Sequence, residues 1–257
     1  MTLTADQARD WLHRWDAQQE HYIPDREDRF AVIADVVETA VTTLPADRPV
    51  TIVDLGAGPG SLSARLLDRL PGSRVVAMDA DALLLGLARA AYDGLTVVER
   101  DLREAGWLDA VAAAAGGEGT VDAVVSTTAL HWLTRPELAE VYRGAARLLR
   151  PGGLLVNGDH LDESEPTLAA LTAHVRDRRR ARQGVLEHED WQTWWDAVAA
   201  APELAPLAAE RGPRPIEHHV DDVPTAADHR ALLLEAGFAE AGTVWQYGDD
   251  RVLVGVR

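Results

Sequence analysis

The chain has no cysteine among its 257 residues. Disulfides, thiolate nucleophiles and cysteine-ligated zinc are therefore excluded. Phenylalanine is nearly missing as well, two residues against eight Trp, so most of the large aromatic surface is indole. No stretch reaches the roughly 18 uninterrupted apolar residues of a membrane span. The opening MTLTADQARDWLHRW is acidic and amphipathic, without the basic-then-apolar layout of a signal peptide, and the expected compartment is the cytoplasm. Positive charge is scarce: 25 Lys and Arg face 42 Asp and Glu, a formal net charge of −17. Such a chain repels phosphate backbones, which argues against nucleic acid as a partner. Internal repeats are missing, and AVAAAAGGEG (110–119) is the one low-complexity stretch.

What is present is an ordinary globular composition, 47% hydrophobic and 26% charged, sufficient for a substantial core. Five apolar runs of strand length follow one another: VTIVDL (50–55), RVVAMD (74–79), LTVVE (95–99), VDAVVST (121–127) and GLLVNGD (153–159). They are unbroken by alternation, as in strands buried on both faces of a parallel sheet. Helix-compatible stretches separate them at 61–70, 81–92, 103–114 and 136–149. This alternation predicts an α/β, doubly wound, mostly parallel sheet. A helix over 226–236 then leads to two strand-like runs joined at GDD, which predicts seven strands with a C-terminal antiparallel hairpin. Residues 1–48 read as two helices broken at Pro24, and 161–224 as a helical lid insertion with helices at 165–182, 189–200 and 203–210. The expected organisation is an N-terminal helical cap (1–48), a core made of 49–160 and 225–257, and the lid (161–224).

Between the first strand and the first helix stands DLGAGPG, Asp54 to Gly60. Glycines there let a ligand approach the backbone, and the helix N-terminus offers free N–H groups. A dinucleotide loop reads G-x-G-x-x-G, but here Gly56, Gly58 and Gly60 alternate, with Ser61 where the third glycine of that pattern would stand. Asp54, placed on the turn, would repel a pyrophosphate and suit a cationic amine.

D-x-G-x-G-x-G after a first strand resembles the signature of class I S-adenosylmethionine (SAM)-dependent methyltransferases, and other segments follow the same family in order. MDAD closes the second strand, ERDL the third, STTALHWL the fourth, and LLRPGGLLV leads into the fifth. The resemblance implies a Rossmann-like fold with SAM as cofactor. It implies that Asp79 holds the ribose hydroxyls with Ala80 beside it. Asp101 would take the adenine amino group, and Leu102 would cover the ring. Asp54, Gly56, Ala57, Gly58 and Gly60 would form the loop. Thr127 belongs to the segment lining the methionine part, which Tyr22 and Arg29 (or Arg26) approach, an arginine pairing with the carboxylate.

Two histidines are placed for proton chemistry. His131 follows the fourth strand and His160 ends the fifth; each is as readily a packing residue as a general base or substrate anchor, and His160 ranks first for its place on the substrate side. Metal is not expected: His218 and His219 are strand-like neighbours pointing apart, and the fourth strand continues into Ser126-Thr127-Thr128 without an acidic ligand. Trp15 and Tyr22 in the cap and Trp191 and Trp195 in the lid are candidates to line an apolar substrate pocket. RDRRRARQ (176–183) is the one basic run; it reads as a solvated helix face, or as a site where Arg176 holds an anionic group. The reading is a metal-independent methyltransferase acting on oxygen or nitrogen of a small molecule, as monomer or homodimer, without nucleic-acid or membrane partners. The alternatives are a nicotinamide-dependent oxidoreductase, disfavoured by Ser61 and Asp54, and a non-catalytic SAM-binding regulator.

Overall fold

A computed structural model of the chain describes residues 3–42, 48–211 and 223–257. Seven strands make one sheet: β1 (Thr51–Leu55), β2 (Arg74–Asp79), β3 (Leu95–Glu99), β4 (Val121–Thr127), β5 (Leu149–His160), β6 (Glu240–Tyr247) and β7 (Asp250–Val256). Their order is β3-β2-β1-β4-β5-β7-β6. The first five run parallel, and β7 enters antiparallel between β5 and β6. This is the fold class expected from the alternation, and β1 and β4 are apolar and buried because helices cover both faces.

Among the described residues ten α-helices surround the sheet: α1 (Ala5–Glu20), α2 (Arg26–Thr42), α3 (Ser61–Arg69), α4 (Ala82–Ala91), α5 (Trp107–Ala115), α6 (Arg135–Leu148), α7 (Pro166–Gln183), α8 (Trp191–Ala200), α9 (Ala205–Arg211) and α10 (Ala226–Glu235). Local sequence fixes several of their starts. Thr4 with Gln7, Thr134 with Glu137 and Thr225 with Asp228 form reciprocal capping boxes. Two boundaries differ from expectation. Helix α5 starts at Trp107 instead of 103, because Gly106 is left-handed and Arg103 folds back onto Asp101. Strand pairing begins at Leu149, because Leu149 already pairs with Val121 ahead of a register shift.

Three apolar clusters result. Helices α5, α6 and α10 pack on one face of the sheet, through Trp107, Val141, Tyr142 and Leu233. On the other, α2 and α3 bury Phe30, Ile33, Val37, Leu62 and Leu66. The third lies off the sheet, where α1, α8 and the Leu204 turn meet α4 through Trp11, Trp194, Leu83 and Leu87.

Helix α7 is held differently. Its one buried residue is Arg179, which pairs with Asp25 at 3.1 Å and with Asp250 at 3.3 Å. Asp250 also pairs with Arg29 of α2 at 2.7 Å, and the exposures of Arg29 and Asp250 are 0% and 2%. Removing a buried counter-charge costs about 3–5 kcal/mol, since the partner charge stays in low dielectric. Asp250→Ala leaves the Arg29 guanidinium without its carboxylate and Arg179 with Asp25 alone, and is expected to lose stability of that order in urea unfolding. A loss within error of zero would show that water reaches both arginines.

Candidate active site

The glycine loop is shaped by β2 as much as by its own residues. Gly56 (φ 70°) and Gly58 (φ 55°) both adopt backbone conformations that side chains disfavour. Their surroundings differ. A Cβ on Gly56 would lie 2.3 Å from the Ala129 Cβ, so this glycine permits contact with the chain leaving β4. A Cβ on Gly58 would meet nothing closer than the Trp15 ring at 3.8 Å, so this glycine faces open space roofed by indole. Gly60 and Ala57 are buried within the turn. The Gly58 N–H donates to Asp79 Oδ2 at 2.7 Å, and the Asp81 N–H donates to Asp79 Oδ1 at 2.8 Å. The end of β2 thereby supports the loop.

Asp54, expected on the turn, is the penultimate residue of β1 and is fully buried. Its Oδ2 accepts from Ser63 Oγ at 2.7 Å, while Oδ1 has no hydrogen-bond partner. Burial, reinforced by the charge of Asp79, pushes its carboxyl up to about 7, against the Ser63 bond. Asp79 is pushed up to about 6, first by burial and also by the Asp81 charge, with its backbone bonds opposing. Two carboxyl groups under strain from burial thus flank the loop.

The other cofactor candidates are placed as follows. Ala80, half-buried, follows β2, and Leu102, half-buried, packs on the α5/α6 core cluster. Asp101 binds Arg103 through both carboxylate oxygens. Tyr22 is exposed, and its Oη accepts the Trp191 N–H at 3.2 Å. Arg29 is fully buried and directed at Asp250, at Thr128 Oγ1 (2.8 Å) and more distantly at Thr127 Oγ1 (3.4 Å).

At the carboxyl edge of β4 the chain turns through Thr128, whose φ of 55° is a strained choice for a β-branched residue. The Arg29 bond to its hydroxyl and its own N–H bond to Gly158 O at 3.0 Å hold it there. Ala129 then seats on Gly56, and a 3₁₀ turn over Leu130–Trp132 presents His131. Its Nδ1 lies 2.9 and 3.1 Å from the two carboxylate oxygens of Asp159, a fully buried residue of β5. Burial alone would raise Asp159, but the charge and hydrogen bond of His131, with Arg29 and His160 adding, hold it at about 2. His131 is pulled down by burial, and Asp159 more than reverses this, leaving its pKa raised. His160 points to the opposite side of β5, with Nδ1 3.3 Å from Asp249, a carboxylate that also binds Arg176. Behind Asp159 stand Tyr142 and His229, joined by a 2.6 Å hydrogen bond.

The residues singled out in the sequence therefore gather in four places. Trp15, Gly58 and Asp79 surround the loop. His131 lies at the β4–β5 edge, and His160 and Arg176 converge on Asp249. Trp191 and Trp195 line a separate cavity of about 270 Å³ with Leu83, Val198 and Arg211. Sequence reading missed Asp159, Thr128 and the Asp249-Asp250 pair. Only adjacency to His160 in NGDH marked Asp159, and strand alternation, which turns neighbours to opposite faces, was the signal available. His218 and His219 lie outside the described residues. Among the described residues no cluster of potential metal ligands occurs.

A family model described as a methyltransferase domain matches residues 52–153. The chain is 34% identical over 141 residues to a trans-aconitate 2-methyltransferase of Azoarcus sp. (strain BH72), covering 55% of this chain and 49% of that protein. It is 38% identical over 130 residues to a malonyl-[acyl-carrier protein] O-methyltransferase of Geobacter sulfurreducens, covering 48% of this chain and 44% of that one. In fold it is similar to the CurJ carbon methyltransferase, with a TM-score of 0.55 at 21% identity over 88% of this chain and 53% of that structure. Residues 52–153 thus match a methyltransferase domain, in a fold shared with methyltransferases of known structure. The chain spans about half the length of these curated relatives.

The cofactor of this family is SAM, and the methyltransferase loop fits it. Gly58 offers open backbone beneath Trp15, Asp79 stands at the end of β2, and the orphaned oxygen of Asp54 lies below the turn. Two carboxyls raised by burial gain most from a cationic ligand. Asp79→Ala is expected to weaken SAM by about 1.5–3 kcal/mol, the worth of a hydrogen bond to a charged group. The wild-type affinity should also depend on pH. Asp54 and Asp79 must ionise to favour a cation, so SAM binding is expected to tighten as pH rises through about 6 to 7, with proton release on binding. Calorimetry in buffers of different ionisation enthalpy reads that release; binding independent of pH and buffer would refute it.

Proposed function

We propose that the chain transfers the methyl group of SAM to an oxygen or nitrogen of a small molecule, with His131 as general base. The observation that carries this is the His131–Asp159 pair, built on a turn whose Ala129 packs directly on the cofactor loop at Gly56. When bound, the cofactor supplies a methyl group on a positively charged sulfur. The chain's own residues supply the rest. Asp159 accepts from His131 Nδ1, which fixes the ring and assigns the lone pair to Nε2. His131 takes the acceptor's proton at Nε2, and the buried carboxylate stabilises the imidazolium that forms. Trp15 roofs the loop and excludes water from it.

The geometry supports His131 ahead of His160. His131 has a carboxylate of its own at 2.9 Å, whereas His160 shares Asp249, at 3.3 Å, with Arg176. Cation candidates do not favour an anion site at Arg176, whose guanidinium already binds Asp249. We further propose that residues 1–48 and 161–224 act as cap and lid to the core of 49–160 and 225–257. Supporting this, the two segments are bonded to each other: Arg14 to Glu189 at 2.5 Å, Trp11 Nε1 to Glu203 at 3.2 Å, and Trp191 N–H to Tyr22. No described helix is long and apolar enough to cross a membrane.

SAM and S-adenosylhomocysteine are expected to raise the melting temperature in a dose-dependent way, and NADP to leave it unchanged. His131→Ala is expected to lower kcat by ~10²–10⁴-fold with SAM affinity preserved. The sign of the pH dependence follows from the ion pair. A raised pKa keeps His131 protonated to higher pH, so the rate rises as pH climbs through that value, and His131→Ala removes this limb. A near-normal kcat with the limb intact would show that another group, or none, removes the proton. Amide exchange in α1, α8 and α9 is expected to slow when product cofactor and acceptor are both bound. Equal protection in the free protein would mean permanently docked helices.

A further inference from the structure

The two curated relatives are named for acidic acceptors, yet the edge of the sheet in this chain is built for something else. The sequence contains no lysine, so every fixed cation is an arginine. Among the described residues, four arginines at the ends of β4, β5 and β7 already hold carboxylates of the chain itself, Arg251 of β7 binding Glu163. Arg29 is bound to Asp250, Arg176 to Asp249, and Arg179 to Asp25 and Asp250. A carboxylate substrate held by any of these arginines would have to displace such an acid from its counter-charge. It would also enter the field of Asp159, Asp249 and Asp250, each at most 2% exposed.

The base points the same way. A carboxylic acid arrives ionised at neutral pH and has no proton to give up. A neutral amine attacks through a lone pair it already has. A hydroxyl oxygen becomes an adequate nucleophile only as its proton leaves, and that is the task the His131–Asp159 pair is arranged for. Among the described residues, the charged and titratable groups around His131 include Asp159 from β5, Arg29 from α2, and, beyond Asp159, Tyr142 from α6 and His229 from α10, with His160 across the strand.

We infer that the acceptor is an uncharged hydroxyl compound and the product a methyl ether, with Asp159 the residue that positions the base for it. This rests on the methyltransferase reading above. In the step, the hydroxyl oxygen forms its bond to the methyl carbon as the carbon–sulfur bond of SAM breaks. The bond pair stays on sulfur as a neutral thioether, and the hydroxyl proton passes to His131 Nε2.

The test uses the full chain, methyl-labelled SAM and a deproteinised extract of the source cells divided by ion exchange into acidic, neutral and basic pools, with authentic trans-aconitate added as a further acidic probe. Label is expected in a product from the neutral pool. That label should survive alkali, because an ether resists the saponification that frees methanol from a methyl ester. With S-adenosylhomocysteine present, the neutral pool should raise the melting temperature beyond the cofactor's own shift, a binding readout independent of turnover. Asp159→Asn should lower kcat at least tenfold and move the acid limb to lower pH, while leaving KM for SAM unchanged; a merely structural role would not move the limb. Alkali-labile label from the acidic pool or from trans-aconitate, label from the basic pool, or no label with the SAM shift intact would each overturn the hydroxyl assignment. Loss of the SAM shift itself would sink the methyltransferase reading instead.

Discussion

A guanidinium group without access to solvent joins the parts of this molecule that matter for chemistry. Arg29, on a helix that precedes the first strand, reaches the start of β7 at Asp250, the hydroxyl of Thr128 after β4 and the carbonyl of Gly158 in β5. Gly158 has to be glycine, since a Cβ there would fall 2.8 Å from Arg29 Cδ and 2.9 Å from Ile33. The left-handed Thr128 costs on the order of 1–3 kcal/mol, and the buried charge supplies the hydrogen bond that offsets it. From that turn follow the seating of Ala129 on Gly56 and the presentation of His131 to Asp159. The glycine loop and the His131–Asp159 pair are therefore set by one buried cation, and an error in its placement reaches both.

Three aspartates, Asp159 and Asp54 buried and Asp79 half-buried, show how environment assigns different states to one residue type. Asp159 has a histidine and an arginine nearby and is held at about 2. Asp54 has one hydroxyl donor, an orphaned oxygen and a like charge nearby, and is pushed up to about 7. Asp79, bonded by two backbone N–H groups, falls between them at about 6. The first is a permanent anion suited to steadying an imidazolium. The other two are poised for a cation that arrives from outside. Carboxyls with pKa values pushed so far apart, within one sheet edge, are the pattern expected of a site with both a base and a cationic ligand.

The sheet was legible in the sequence because its strands are continuous apolar runs, and helical or strand period decides such segments locally. The glycine loop and Asp79 were legible for a similar reason: a tight turn needs glycine at particular positions, and the need is visible in a few residues. The candidate bases were only half legible. His131 and His160 both stand after strands, and position ranked His160 first, whereas the reading proposed above prefers His131 for the carboxylate it meets. Asp159 meets His131 across 28 residues of chain, and His160 meets Asp249 across 89. The basic run of α7 was legible as composition, but not its partners. Arg178 and Arg182 are exposed, while Arg176 and Arg179 face inward to Asp25, Asp249 and Asp250, acids contributed by a loop and a hairpin that no local pattern connects to them.

The insertion between β5 and α10 is fastened by two kinds of force, which bears on how it moves. Helix α8 is anchored by Trp194, fully buried, in edge contact with Trp11 at 5.9 Å, Trp15 at 5.0 Å and Trp195 at 4.9 Å. Burial of this much indole resists separation, so α1 and α8 behave as one body. Helix α7 buries only Arg179 and depends on ion pairs with specific geometry, so sliding it breaks several at once. A body glued by non-directional apolar contact can shift over α4 with modest loss, whereas a charge-locked helix has one register. Opening of the loop beneath Trp15 is then expected to come from α1 and α8 moving together, with α7 and its pairs to the β6–β7 turn as the fixed side of the hinge.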